Sequence, residues 1–134
     1  MNINVPNIFS IDVEEWFHIM EHPSIPEIDK WDSLEPTLET NLIRLLDLCA
    51  EHQTVGTCFF LGWITRKYPR LVKEADRRGF EIASHGMNHN AIYKQSPEDF
   101  YDDITHAKKL LEDIIGKPVN GYRAPGFSII NRTK

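Results

Sequence analysis

The feature that most limits how this chain can fold is an alternation: short β-branched or aromatic runs, each followed by a longer stretch with helical spacing. Strands separated by helices do not pair as hairpins, because a crossover of a dozen or more residues joins parallel neighbours. The rhythm therefore predicts an α/β fold, with about four βα units around a parallel sheet. Strands are read at residues 8–12, 55–61, 80–84 and 119–123. Pro36 opens a helix whose Leu38, Leu42, Leu45, Leu46 and Cys49 share one face, ending near His52. Gly62 starts a second helical stretch, interrupted at Pro69 and closed by Gly79.

Ser96-Pro97-Glu98-Asp99 supplies a cap, a first-turn proline and an acidic first turn, so a further helix begins there. Its apolar stripe, Phe100, Ile104, Ala107, Leu111 and Ile114, runs to Gly116-Lys117-Pro118. Between Asp12 and the helix opened by Pro36 lies a loop of about two dozen residues with Pro23 and Pro26, a length usually tied to function or disorder.

At 134 residues the chain reads as one folding unit, 1–134, with no membrane span. Residues 1–6 carry neither a basic nor an apolar leader, so a cytoplasmic location is expected. Fifteen basic against twenty acidic side chains leave a net charge of -5, which repels a phosphate backbone and argues against a nucleic-acid partner. Arg66-Lys67 and Arg77-Arg78 read as solvated helix faces, and the composition sets no oligomeric state. Cys49 in a helical pattern and Cys58 in a strand pattern read as buried thiols, not a disulfide.

Chemistry is concentrated at strand ends. Asp12, His85 and Arg123 each close a separate strand, and in parallel βα architectures the loops leaving those ends form the working face. Alternation along an extended segment turns Asp12 and Glu14 to one side and Val13 to the other. One carboxylate of such a pair can hold a cation while the other accepts a proton; a solvated acidic turn is the competing reading. His85 and His89, four apart across the turn formers Gly86 and Asn88, can reach one metal ion.

Spacing alone does not decide, since His18 and His22 share it and match the H-x-x-E-H pattern of inverted zinc peptidases. That motif needs a helix, which Pro23 and Pro26 oppose. His18 with Trp16 and Phe17 belongs instead to a loop near the pocket, either stacking on a sugar or anchoring the loop. Arg123 can grip Asp12 in two places, while the stiff turn Ala124-Pro125-Gly126-Phe127 aims the Gly126 amide at a developing oxyanion. A structural ion pair is the alternative there. Pro125 and Phe127 join the sugar-contact candidates, whereas His52 and His106, in helical patterns, read as exposed or packing residues.

Taken in order, these segments resemble the polysaccharide deacetylases, the NodB-homology group known as carbohydrate esterase family 4. Ser10-Ile11-Asp12-Val13-Glu14 stands where that family has Thr-Phe-Asp-Asp-Gly, and Thr57-Cys58-Phe59-Phe60-Leu61-Gly62 resembles its second strand. His85 to His89 resembles its metal-binding pair and Arg123-Ala124-Pro125-Gly126 its third motif. The resemblance implies an irregular (β/α) barrel of which residues 1–134 form the N-terminal portion. It also implies a metal-dependent hydrolase that removes N-acetyl groups from an amino-sugar polysaccharide or oligosaccharide. Asp12 would be the base, Arg123 its orienting partner, Gly126 the oxyanion donor, and His85 and His89 ligands to a divalent metal, zinc first.

Val13 replaces the usual second aspartate; Glu14, or else Glu15, then completes the ligand set, as in the branch tied to exopolysaccharide biosynthesis. Two later family motifs, one carrying the histidine that protonates the leaving amine, have no counterpart after Arg123. These residues alone are therefore expected to be inactive and to expose sheet edge and core. A metal amidohydrolase on a small amide, and an inactive sugar-binding protein, are the other readings.

Overall fold

Three of the four expected strands pair in one parallel sheet of order β1-β2-β3: β1 Ser10–Val13, β2 Thr57–Phe60 and β3 Glu81–Ser84. The structure is a computed structural model that describes residues 7–20 and 22–133. Asp12, Phe59 and Ala83 stand side by side in the register, as do Val13, Phe60 and Ser84. Paired residues in a parallel sheet point to the same face, so the two rows face opposite ways. Val13, Cys58, Phe60 and Ile82 enter the hydrophobic core. The Asp12 row turns to the other side.

The fourth strand is a correction. Residues 119–123 contribute a single parallel bridge, Ser84 to Tyr122, carried by Ser84 N–H to Gly121 O (2.9 Å) and Arg123 N–H to Ser84 O (2.9 Å). Pro118 and Pro125 bound the segment and lack donors, which keeps the ladder short. Gly121 has a local reason to be glycine, since a Cβ there would lie 2.9 Å from the Ala83 Cβ.

The helices follow the apolar periodicity: α1 Leu38–Glu51, α2 Gly62–Lys67, α3 Pro69–Arg77 and α4 Pro97–Ile115. Ser96 Oγ accepts the Asp99 N–H at 3.0 Å, and Gly116 ends α4 in the left-handed region with φ 69°. Leu42 and Leu46 of α1, Ile64 of α2, Leu71 and Val72 of α3 and Leu111 of α4 meet the sheet in one cluster. Each such side chain contributes about 1.5–3 kcal/mol by leaving water. Cys49 and Cys58 are free and buried; burial, with a smaller contribution from Cys49, pushes the Cys58 thiol up to about 12. Among the described residues no helix is long and apolar enough to cross a membrane.

The long loop after β1 is ordered by aromatic packing. Phe17 and Trp31 from the loop and Trp63 from α2 are all buried in the core cluster, Phe17 meeting Trp63 edge-on with ring centroids 5.8 Å apart. At the sheet's edge, just before β1, Ile8 and Phe9 are exposed.

Candidate metal centre

The strand register already brings two of the ligand candidates together. Glu14 and His85 follow β1 and β3 by one residue, on the face shared by Asp12, Phe59 and Ala83. Two strand spacings amount to about 10 Å, which a carboxylate and an imidazole reaching inward can close. After His85 the chain reverses through Gly86 (φ 76°) and His89 (φ 57°), the latter a left-handed position that histidine tolerates better than most residues. The turn is fastened on both flanks: Gly62 and Trp63 N–H donate to Gly86 O (2.7 Å) and Met87 O (2.9 Å). Asp103 Oδ2, from α4, accepts the Met87 N–H at 2.9 Å. One ligand atom each from Glu14, His85 and His89 consequently lie within 4.8 Å of one another.

The protonation pattern suits a cation. His85 Nδ1 sits 2.7 Å from Arg123 O, and facing a carbonyl it must carry the proton, which leaves the Nε2 lone pair for the cluster. Burial lowers the His85 pKa below its ordinary value, against the opposing pull of the Arg123 carbonyl, Asp12 and Glu14. A neutral ring is the ligating form. His89 Nε2 approaches Glu14 Oε2 to 2.8 Å, yet that buried oxygen takes part in no well-formed hydrogen bond. Lone pairs aimed at a common point have this geometry. Ligand atoms about 2.1 Å from one ion lie at most about 4 Å apart, so small side-chain adjustments close the set around a divalent metal.

Beside the triad, Arg123 Nη1 meets Asp12 Oδ1 at 2.5 Å. The expected two-point grip is not formed, because Nη2 donates to Ser10 Oγ at 2.8 Å and the guanidinium lies 4.0 Å over the Phe59 ring. Ser10, Asp12 and Phe59 share one sheet face, and the arginine reaches all three.

The decisive comparison is with protein families: the polysaccharide deacetylase model matches residues 29–134. The chain belongs to the polysaccharide deacetylase family. It is 34% identical over 83 residues to a peptidoglycan-N-acetylglucosamine deacetylase of Bacillus cereus, which covers 62% of this chain and 38% of that one. Among solved structures it is similar to a CE4 family pseudoenzyme from Bacillus anthracis, with a TM-score of 0.70, 17% identity, and 92% of this chain and 36% of that one covered. The peptidoglycan deacetylase PdaC from Bacillus subtilis gives 0.67 and 21%, covering 74% and 48%. The fold is thus part of the (β/α) barrel of these deacetylases, and the chain spans less than half the length of these relatives.

Other candidates of this deacetylase-family chain fall into place around the triad. Val13 is fully buried in the core. Glu15 is buried too, and its carboxylate accepts the Thr37 N–H (3.0 and 3.1 Å), the Thr37 hydroxyl (3.2 Å) and the Leu38 N–H (2.9 Å). It caps α1, so Glu14 is the carboxylate in the cluster. Sequence reading missed this cap, as it missed Ser10, Phe59 and Asp103, because each partner is distant in the chain.

The aromatic loop is partly a correction. Trp16 remains half-exposed, its Nε1 donating to Glu35 O at 3.1 Å, but Phe17 and His18 are buried and present no face to a sugar. Their rings pack against Trp31 and Trp63. Pro125 is likewise buried, its carbonyl accepting the Ser128 hydroxyl at 2.6 Å, so it supports the turn and does not line a surface. Phe127 is 95% exposed. Gly126 has φ 58°, and a Cβ there would come within 2.0 Å of Met20 Cε. His22 is exposed, with Nδ1 accepting the Ser24 N–H at 3.2 Å, and a three-residue 3-10 turn ends at His18 with Ile19 extended, where the peptidase motif needs a helix to run on. Glu21, the remaining member of that motif, lies outside the described residues.

Burial, reinforced by the His89 and His85 rings, holds His18 down to about 3. Its ordinary value in the unfolded chain is about 6.5, so the unfolded state takes up the proton first as pH falls. This contribution to stability is complete above about pH 6.5 and declines toward pH 3, by at most about 1.4 kcal/mol per pH unit. Thermal unfolding of the metal-free protein between pH 7 and 4.5 checks it: the midpoint should fall with acid, and less steeply in His18→Gln. An equal slope in both proteins would contradict the assignment.

Proposed function

We propose that this chain carries the metal and base machinery of a hydrolase that removes N-acetyl groups from an amino-sugar polysaccharide. The observation that supports it is the convergence of Glu14, His85 and His89 beside an Asp12 already held by Arg123. Glu14, His85 and His89 would hold a divalent ion, zinc first. Such an ion supplies Lewis-acid polarisation of the amide carbonyl and acidifies a water.

The chain's own residues then divide the remaining work. Asp12 takes the proton of the attacking water; Arg123, anchored by Ser10 and lying over Phe59, orients Asp12 and holds it out of the ligand set. The Gly126 amide donates to the oxyanion, from a turn whose left-handed φ of 58° favours glycine. Trp16 and Phe127 offer exposed rings for sugar faces. Departure of the amine needs a proton donor, a role that none of the groups placed here fills. The Asp12-Val13-Glu14 arrangement favours the exopolysaccharide branch, and the N-acetylglucosamine polymer named for the Bacillus cereus relative gives the first substrate to try.

The test is acetate release from N-acetylglucosamine oligomers by the metal-loaded protein in its full natural length. Asp12→Asn should lower the rate by about 100-fold or more while metal affinity stays within reach of the wild type. An undiminished rate in that variant would remove Asp12 from the mechanism. Hydrolysis of small acetamides with the oligomers untouched would shift the substrate class.

A further inference from the structure

His18 and His89 each bury one ring nitrogen that has no hydrogen-bond partner among the described residues, His18 Nε2 and His89 Nδ1. Both residues border one open pocket, between the loop after β1 and residues 88–91. Their protonation states can be deduced. His18 Nδ1 accepts the Glu15 N–H at 3.0 Å, so this nitrogen holds a lone pair and the neutral ring must carry its proton on Nε2. His89 directs Nε2 at Glu14 Oε2 and the ligand cluster, so a metal-bound His89 carries its proton on Nδ1.

Two N–H donors cannot bond each other. The ring nitrogen that a ligating histidine turns away from its metal almost always donates to a carboxylate, a carbonyl or a water. His85 satisfies this through Arg123 O, and His89 lacks any such acceptor among the described residues. Resting on the metal reading above, we propose that His18 is a positioning residue for His89: the two N–H groups share the oxygen of one internal water, which fixes the His89 ring toward the ion. A buried water needs two to four polar partners, and these two donors are the first of them. His18 can hold the water firmly because its ring packs against both Trp31 and Trp63, with centroids 4.3 and 5.2 Å away. The caged ring also stays neutral, since burial disfavours a cation there.

The experiment compares His18→Asn and His18→Gln in the 134-residue chain. Asparagine keeps an acceptor near the Glu15 N–H and removes the distal donor; glutamine carries an amide N–H outward to about the reach of Nε2. Zinc titration should show affinity about 10–100-fold weaker in His18→Asn and largely restored in His18→Gln, with thermal midpoints recorded for both. Unchanged affinity in His18→Asn, or equal loss in both variants, would overturn the proposal. Imidazole nitrogen NMR of the wild type supplies an independent arm, with His18 expected as the Nε2–H tautomer and a proton on Nδ1 overturning it. If the wild type binds no zinc, the metal reading fails on its own, and the tautomer still decides the fate of His18.

Discussion

Glu14→Gln and His85→Ala are expected to weaken zinc binding by more than about 100-fold, with little change in the fold. Outer partners of metal ligands already account for 10–100-fold in affinity, so removal of a ligand exceeds that range. Glutamine at position 14 keeps the size of the side chain and loses its charge, and only the cluster should register the change. Glu14 Oε2 is buried with no well-formed hydrogen bond, so the fold derives little from its charge. Isothermal titration with zinc checks both variants beside His22→Ala, which should bind as the wild type does. If His22→Ala lost the metal while His85→Ala retained it, the ion would belong to the loop histidines.

Glu15→Ala should have the complementary effect, destabilising the protein by about 3 kcal/mol. Its buried carboxylate satisfies the first N–H groups of α1 from across the loop, and a hydrogen bond to a charged group contributes about 1.5–3 kcal/mol. The positive end of the helix adds to this. Alanine would leave the Thr37 and Leu38 N–H groups facing a cavity where their acceptor had been. Urea unfolding measures the loss, and the surviving folded fraction should bind zinc with wild-type affinity. A neutral effect on stability accompanied by lost zinc would exchange the roles of Glu14 and Glu15.

The pair shows how far adjacent residues diverge, and how much of that could be read. Alternation along a strand separates Val13 from Asp12 and Glu14, and the sheet follows that parity, with Val13 in the core. Local signals were also sufficient for α4, whose Ser96 cap and Gly116 stop act within a turn of the helix they bound. Glu15 could not be resolved from sequence, because its partners lie 22 and 23 residues away and no periodicity links them. Phe17 and His18 were ambiguous for a similar reason: an aromatic in an irregular loop packs inward or stacks outward according to Trp31, farther along the loop, and Trp63 of α2. The fourth strand was overread, since its apolar pattern is real while its flanking prolines limit it to one bridge. Arg123 was expected to grip Asp12 twice, and Ser10 competes for its second nitrogen from two residues earlier on the same strand face.

Glu14, His85 and His89 are expected to meet at one ion, and X-ray absorption on the zinc-loaded chain observes that shell directly. Two imidazoles with a histidine outer-shell signature, plus oxygen donors, are expected, with Zn–N distances of about 2.0–2.1 Å and the imidazole count falling in His89→Ala. Sulfur at about 2.3 Å, which only Cys49, Cys58 or a methionine could supply, or an unaltered imidazole count in that variant, would contradict it.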